Sequence, residues 1–249
     1  MMNAPLVRLP IPALLALAFV TLALPACGDE DEGTGATESG FVELAGSWTR
    51  THASGHYVYT FLSAEDGDSF THESFEIGAS TPINSSSGGA SALNGHLALW
   101  TVCELTTGTP GSQELGPYAI HGQAFSRDQV YRPMDPDTGI HGIWLMNWER
   151  YVDTDCTGYP DTPHKTRTDT LEFHDDGTFR YTSNEMTTTA GGTVVPLGQA
   201  IDRWGTWLLE EDAGGETLYT QDDQQTAVYT LTESGAMANL NPSYWYIRD

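Results

Sequence analysis

Residues 171–182, LEFHDDGTFRYT, decide the reading of the fold. Leu171 and Phe173, then Phe179 and Tyr181, stand at alternate positions on either side of Asp176-Gly177. A period of two places such side chains on one face of a strand. Asp-Gly is a dipeptide that hairpin turns favour, because glycine accepts positive φ without steric cost. The stretch therefore predicts a β-hairpin. Working outward, residues 55–62 alternate in the same way, with Tyr57, Tyr59 and Phe61 on one face and Val58, Thr60 and Leu62 on the other. Comparable runs predict strands near 46–51, 68–77, 93–105, 117–125, 128–132, 168–175, 177–186, 204–211, 216–221, 226–232 and 243–248. In 140–152, Trp144, Trp148, Tyr151 and Val152 sit at helical spacing, but the aromatics and Gly142 suit a strand, and a strand is the reading taken. Loops rich in Ser, Thr, Gly and Pro are expected at 78–92, 106–117, 133–139, 153–167 and 187–197, with the SSSGGAS of 85–91 as flexible chain. Helix signals are nearly absent, and the fold class is all-β.

A chain of 249 residues has room for one large or two small domains. Hydrophobic residues make up 39% and charged residues 18%, enough apolar material to build a core. Lys and Arg number 10 against 34 Asp and Glu, a formal charge of -24, and Lys165 is the single lysine. That balance excludes nucleic acid as a partner and excludes docking to an anionic membrane through a basic patch.

The first 26 residues have the layout of an export signal: Arg8, the apolar run Ala13 to Leu24, then small residues before Cys27. That run is too short to span a bilayer. Leu24-Pro25-Ala26-Cys27 resembles the lipobox of bacterial lipoproteins, with Pro25 where a small or hydroxyl residue is usual. The resemblance implies cleavage before Cys27, acylation of Cys27 and attachment to a membrane through several acyl chains. Gly28 rather than Asp after the cysteine resembles an outer-membrane address, periplasmic or surface-facing. Residues 27–40 add five acidic residues and no apolar side chain larger than Ala beyond the cysteine, so they are read as a flexible tether.

Two phrases repeat across the remainder. Leu44-Ala45-Gly46-Ser47-Trp48 is echoed by Ile140-His141-Gly142-Ile143-Trp144, and a third Gly-x-Trp occurs at Gly205 to Trp207. Each of the first two opens a strand-rich stretch with an Asp-Gly turn, at Asp66-Gly67 and Asp176-Gly177, and each stretch ends on an aromatic strand with an arginine, Arg132 or Arg248. The pattern resembles the lipocalin-like domains of bacterial lipoproteins. It implies two tandem lipocalin-like β-barrel or meander domains, 41–135 and 136–249, with one larger closed barrel as the alternative. It further implies that the opening tryptophan packs under an arginine of the last strand, as Trp48 with Arg132 and Trp144 with Arg248. That contact closes a barrel and is not catalytic.

With Cys27 acylated, Cys103 and Cys156 remain, an even count in an exported chain, and a disulfide joining the two halves is expected. No Gly-x-Ser-x-Gly nucleophile elbow occurs, and His52 with His56 forms the one close histidine pair without a zinc companion. Asp153-x-Asp155-x-x-Gly158 with Asp161, and Asp135-x-Asp137-x-Gly139, put hard oxygens on turns but do not match the twelve-residue calcium loop. No catalytic residue, metal ligand or cofactor is therefore assigned. The expected function is that of a noncatalytic, lipid-anchored envelope lipoprotein binding a small apolar molecule or an envelope component. A structural or protein-interaction lipoprotein without ligand is the alternative, and a hydrolase is the third reading. The protein partner is not named by the sequence.

Overall fold

The computed structural model describes residues 41–249 apart from Asp66, Leu105, Gly108, Asp155, residues 157–162, residues 213–214 and Glu233. The expected signal segment, Cys27, the acidic tether, and Asp66 of the first-half turn lie outside the described residues. Eighteen antiparallel strands among the described residues form one continuous hydrogen-bonded network that closes on itself twice. The all-β reading holds.

A one-turn helix, α1 (Phe41–Leu44), buries Phe41 and Leu44 beneath the first ring. That ring follows chain order: β1 (Gly46–His52), β2 (Gly55–Leu62), β3 (Ser69–Glu76), β4 (Asn84–Leu93), β5 (His96–Thr101) and β6 (Gly111–Pro117). β6 runs on through Tyr118, whose amide donates to the Gly95 carbonyl at 3.0 Å, into β7 (Ala119–His121), which pairs with β8 (Ala124–Ser126). The second ring comprises β9 (Val130–Pro133), β10 (Gly142–Asp153), β11 (Lys165–Phe173), β12 (Thr178–Thr188), then, past the short β13 (Val194–Pro196) lying on β12, β14 (Ile201–Asp212), β15 (Gly215–Gln221), β16 (Thr226–Leu231) and β17 (Met237–Asn239). It closes where β9 pairs with both β17 and β10. The first ring closes only through the last strand of the chain, β18 (Tyr246–Arg248), which pairs with β8 and β1.

The two halves have therefore exchanged their last strands. β9 belongs to the first half by sequence and completes the second ring, while β18 belongs to the second half and completes the first. The division at 135/136 does not follow the packing at these two strands. The crossovers run side by side: the Asn239 amide donates to the Gln129 carbonyl at 3.1 Å, and Ser126 Oγ donates to the Tyr244 carbonyl at 2.7 Å. Small side chains let them approach. Ala119, Val130, Ala236, Ala238 and Trp245 form a separate buried cluster at this junction. The rings also share a wall, since Glu149–Asp153 of β10 pair with β6.

The opening repeat is a repeat of geometry. Trp48 Nε1 donates to the Leu44 carbonyl at 2.7 Å, and Trp144 Nε1 donates to the Ile140 carbonyl at 3.0 Å. Gly46 and Gly142 sit at φ +123° and +114°, a region side chains rarely adopt, so each phrase needs its glycine. The 171–182 hairpin forms with Leu171 opposite Tyr181 and Phe173 opposite Phe179, and Gly177 at φ +78° completes its turn. Residues 142–153 are a strand.

Strand β4 corrects the sequence reading, which took 78–92 for a loop. Its two glycines are required by what lies over them. A Cβ at Gly88 would stand 1.9 Å from the Trp100 carbonyl oxygen, and one at Gly89 would stand 2.3 Å from the Trp100 indole. Strand β6 likewise occupies much of the expected 106–117 loop.

Candidate functional site

The first ring is packed at one end and open at the other. Trp48, Phe61, Leu97 and Phe125, all fully buried, fill the end nearest α1. Beyond them, residues at alternate positions of successive strands line a cavity of about 820 Å³: Tyr57 and Tyr59, Phe70 and His72, Ser86, Leu99 and Thr101, Ser112 and Glu114. Arg50 of β1 and Tyr246 of β18 continue the wall, and Trp148 and Arg150 of β10 stand at its rim. Nearly every strand of the ring contributes, so the cavity is the interior of the barrel. Its volume is in the range of small-molecule sites, and an eight-stranded barrel is wide enough for one small ligand.

Arg127, just past β8, enters this space and is 9% exposed. Its Nη1 donates to the Tyr59 hydroxyl at 3.3 Å, and its Nη2 lies 3.1 Å from Glu114 Oε2. Glu114 also faces Arg150 at 3.8 Å. Arg50 pairs with Asp128 at 2.5 Å and lies over the Tyr246 ring at 4.5 Å. Burial alone would push the Arg127 guanidinium down, but Tyr59, Glu114 and Asp128 beside it hold it above the usual arginine range. Burial raises the Tyr59 hydroxyl. His72 stacks on Tyr59 at 4.3 Å between centroids, and its buried Nε2 has no hydrogen-bond partner. Burial first, then Arg127, push its pKa below the ordinary histidine value. Arg50, Arg127 and Arg150 meet Glu104, Glu114 and Asp128 in the lining, three charges of each sign, so the interior is charged and internally balanced. An aromatic floor suits an apolar body, and guanidinium and imidazole donors suit a polar or anionic head.

The second barrel is filled differently. Asp169 is fully buried on β11. Arg167 grips it through Nε at 3.0 Å and Nη2 at 2.6 Å, and Ser183 and Tyr181 donate to it at 2.6 and 3.3 Å. Gln129, from the β8–β9 crossover, donates at 3.4 Å. A carboxylate accepting this many bonds is a satisfied core group. Leu171, Phe173, Phe179, Leu218 and Met237 pack around it.

The residues singled out from sequence distribute as follows. Arg248 lies over Trp48, 4.4 Å from the ring centroid, and also donates to the Glu43 carbonyl; the pair is Trp48 with Arg248, not with Arg132. Trp144 faces Pro133 across the ladder rather than Arg248. Arg132 turns away to the carbonyls of Ser234 and Tyr118 at 2.6 and 3.0 Å. Strand exchange accounts for these departures, because each closing strand arrives from the other half. Cys103 and Cys156 are joined, with Cα atoms 5.3 Å apart, linking the chain just after β5 to the chain just after β10. His52 stacks on Tyr57 and His56 on Phe75, so the two histidines face different partners. Asp135 caps the Asp137 amide at 3.0 Å, and Asp155, Gly158 and Asp161 of the other acidic motif lie outside the described residues. The sequence reading missed Arg50, His72, Glu114, Arg127 and Asp128. Their signal was present: in a chain this poor in basic residues each arginine carries weight, and Phe70-x-His72, Leu99-x-Thr101 and Ser112-x-Glu114 each turn from apolar or small to polar along an inward face.

Fold and site together define a fused double barrel, one barrel holding an apolar cluster around the buried Asp169 and the other with an open, charged interior. Compared with protein-family models, curated proteins and solved structures, the chain matches none of them.

Proposed function

We propose that the protein is a noncatalytic, lipid-anchored envelope protein with lipocalin-like barrels, tethered to the outer membrane through Cys27 and its acidic spacer, and that the first barrel seats a small molecule with an apolar body and a polar or anionic head. The observation that carries this reading is the 820 Å³ interior of the first barrel, where an aromatic floor meets the Arg50, Arg127 and His72 side chains. Apolar burial supplies the attraction and the charged groups set orientation. The second barrel, with the hydrogen-bonded Asp169 in its core, serves as a rigid support for the shared β6–β10 wall.

Native mass spectrometry of the full chain purified from envelope, followed by organic extraction, tests the reading. A stoichiometric amphiphile on the wild type, absent when Leu99→Arg charges the cavity floor, supports it. A clean apo mass in repeated preparations moves the assignment to a structural or interaction lipoprotein. For the anchor, Cys27→Ser is expected to release the protein from membranes, and unchanged partitioning would refute it.

A further inference from the structure

The basic residues of the described chain divide unequally. Arg50, Arg127, Arg150, Lys165, Arg167, Arg180 and Arg203 each have a carboxylate within 4.0 Å. Among the described residues, Arg132 and Arg248 have none. These two line the same cavity, of about 860 Å³, at the end of the first barrel opposite the ligand seat. Each is carried there by one of the two exchanged strands. Two guanidiniums at one site with no described carboxylate within 4.0 Å are a local charge imbalance that an anion would balance.

The geometry points to a binding site for a phosphate group between the exchanged strands, with Arg132 as the fixed donor and Arg248 as the mobile one. Arg132 is held by carbonyl oxygens of Ser234 and Tyr118, and its Nε is buried without an acceptor. Carbonyl dipoles orient the guanidinium without neutralising it. Gly95, at φ +72°, makes room for it: a Cβ there would lie 2.0 Å from Arg132 Nη2. Arg248 is exposed and rests on Trp48, so its guanidinium can turn toward the cavity without breaking an ion pair. His121 and Ser234 add a ring nitrogen and a hydroxyl to the lining. Glu43 lines the cavity as well, but its carboxylate lies beyond 4.0 Å of either guanidinium, and its carbonyl accepts from Arg248. Arginine donors match phosphate oxygens, and here two arginines from separate strands line one cavity. The space exceeds that of a bare anion, so the fitting ligand class is a phosphate ester, either a soluble monoester or a lipid headgroup.

Isothermal titration of the full chain with inorganic phosphate and glycerol phosphate, and flotation with phosphatidylcholine vesicles with and without phosphatidic acid, test the site. Binding weakened about tenfold or more by Arg248→Gln, and unchanged by Arg180→Gln in the other barrel, is expected from loss of one charge-assisted contact. Arg248→Gln leaves the carbonyl ties of Arg132 in place, so its fold is checked by an unchanged far-ultraviolet spectrum. Saturable binding of the soluble esters identifies a soluble source. Binding to phosphatidic acid vesicles alone, lost in Arg248→Gln, identifies a headgroup. No binding of any probe, or equal binding by Arg248→Gln and Arg180→Gln, overturns the proposal. The site is separate from the first-barrel ligand seat, so either can fail alone.

Discussion

Replacing Tyr246 with alanine should open the barrel that begins some two hundred residues earlier in the chain. Tyr246 is 3% exposed and its ring packs against Tyr59 at 5.1 Å and Phe125 at 5.8 Å, with Arg50 over its face. Truncating a buried aromatic of this kind costs about 3–5 kcal/mol. Net stability of a domain is of order 5–15 kcal/mol, so the variant remains folded but much weakened. Chemical denaturation gives the total, and hydrogen exchange read by mass spectrometry gives its location. Because β18 pairs with β1 and β8, protection should fall at 46–52 and 124–126 and persist in β10 and β17. Loss confined to 142–239, with the first barrel untouched, would refute the strand exchange.

Three further outcomes follow from the packing. Cys103→Ser removes a link spanning 53 residues, and on the chain-entropy model should cost about 4 kcal/mol; calorimetry should show reduced wild type melting with the variant, and an unchanged melting temperature would contradict the link. Asp169→Ala strands Arg167 and the donors around it, and should cost about 3 kcal/mol, while Asp202→Ala at the exposed Arg180 pair should leave the denaturation midpoint where it is; equal effects would show that burial of Asp169 does not matter. His72 binds its proton less readily in the folded barrel than in the unfolded chain, so the unfolded state takes up more protons as pH falls below the ordinary value of 6.5. Stability should therefore drop between about pH 7 and pH 5 by more in wild type than in His72→Gln, and parallel pH curves would exclude His72 as the cause.

The all-β fold was legible wherever alternation came with large side chains, as in 55–62 and 171–182, because a period of two and a glycine turn are local properties. The two Gly-x-Trp phrases were legible for the same reason: the tryptophan reaches a carbonyl four residues back, and the glycine takes its positive φ within the phrase. Strand β4 was not legible, since its run of serines and glycines has low strand propensity and its two glycines are required by Trp100 on the neighbouring strand. Nor was the exchange of β9 and β18, which depends on which barrel each crossover enters. Arg248 and Trp48 were both singled out, yet their partnership is decided by that crossover and not by the distance between them in sequence. The open cavity was foreseen only as a use for aromatics; its charged lining comes from Arg50, Glu114 and Arg150 on three different strands, Glu104 after β5, and Arg127 and Asp128 after β8, which meet only when the ring closes.

The central claim is that the first barrel's interior is a ligand seat. Equilibrium titration of the full chain with a dansylated undecanoic acid, a fluorescent apolar chain with a carboxylate head, tests it most directly when wild type is compared with Ser86→Trp, which fills the cavity from the β4 position paired with His72. Saturable one-to-one binding with blue-shifted emission, weakened at least about tenfold in Ser86→Trp, is the result predicted. Absence of saturable binding, or equal affinity in the filled variant, would contradict it.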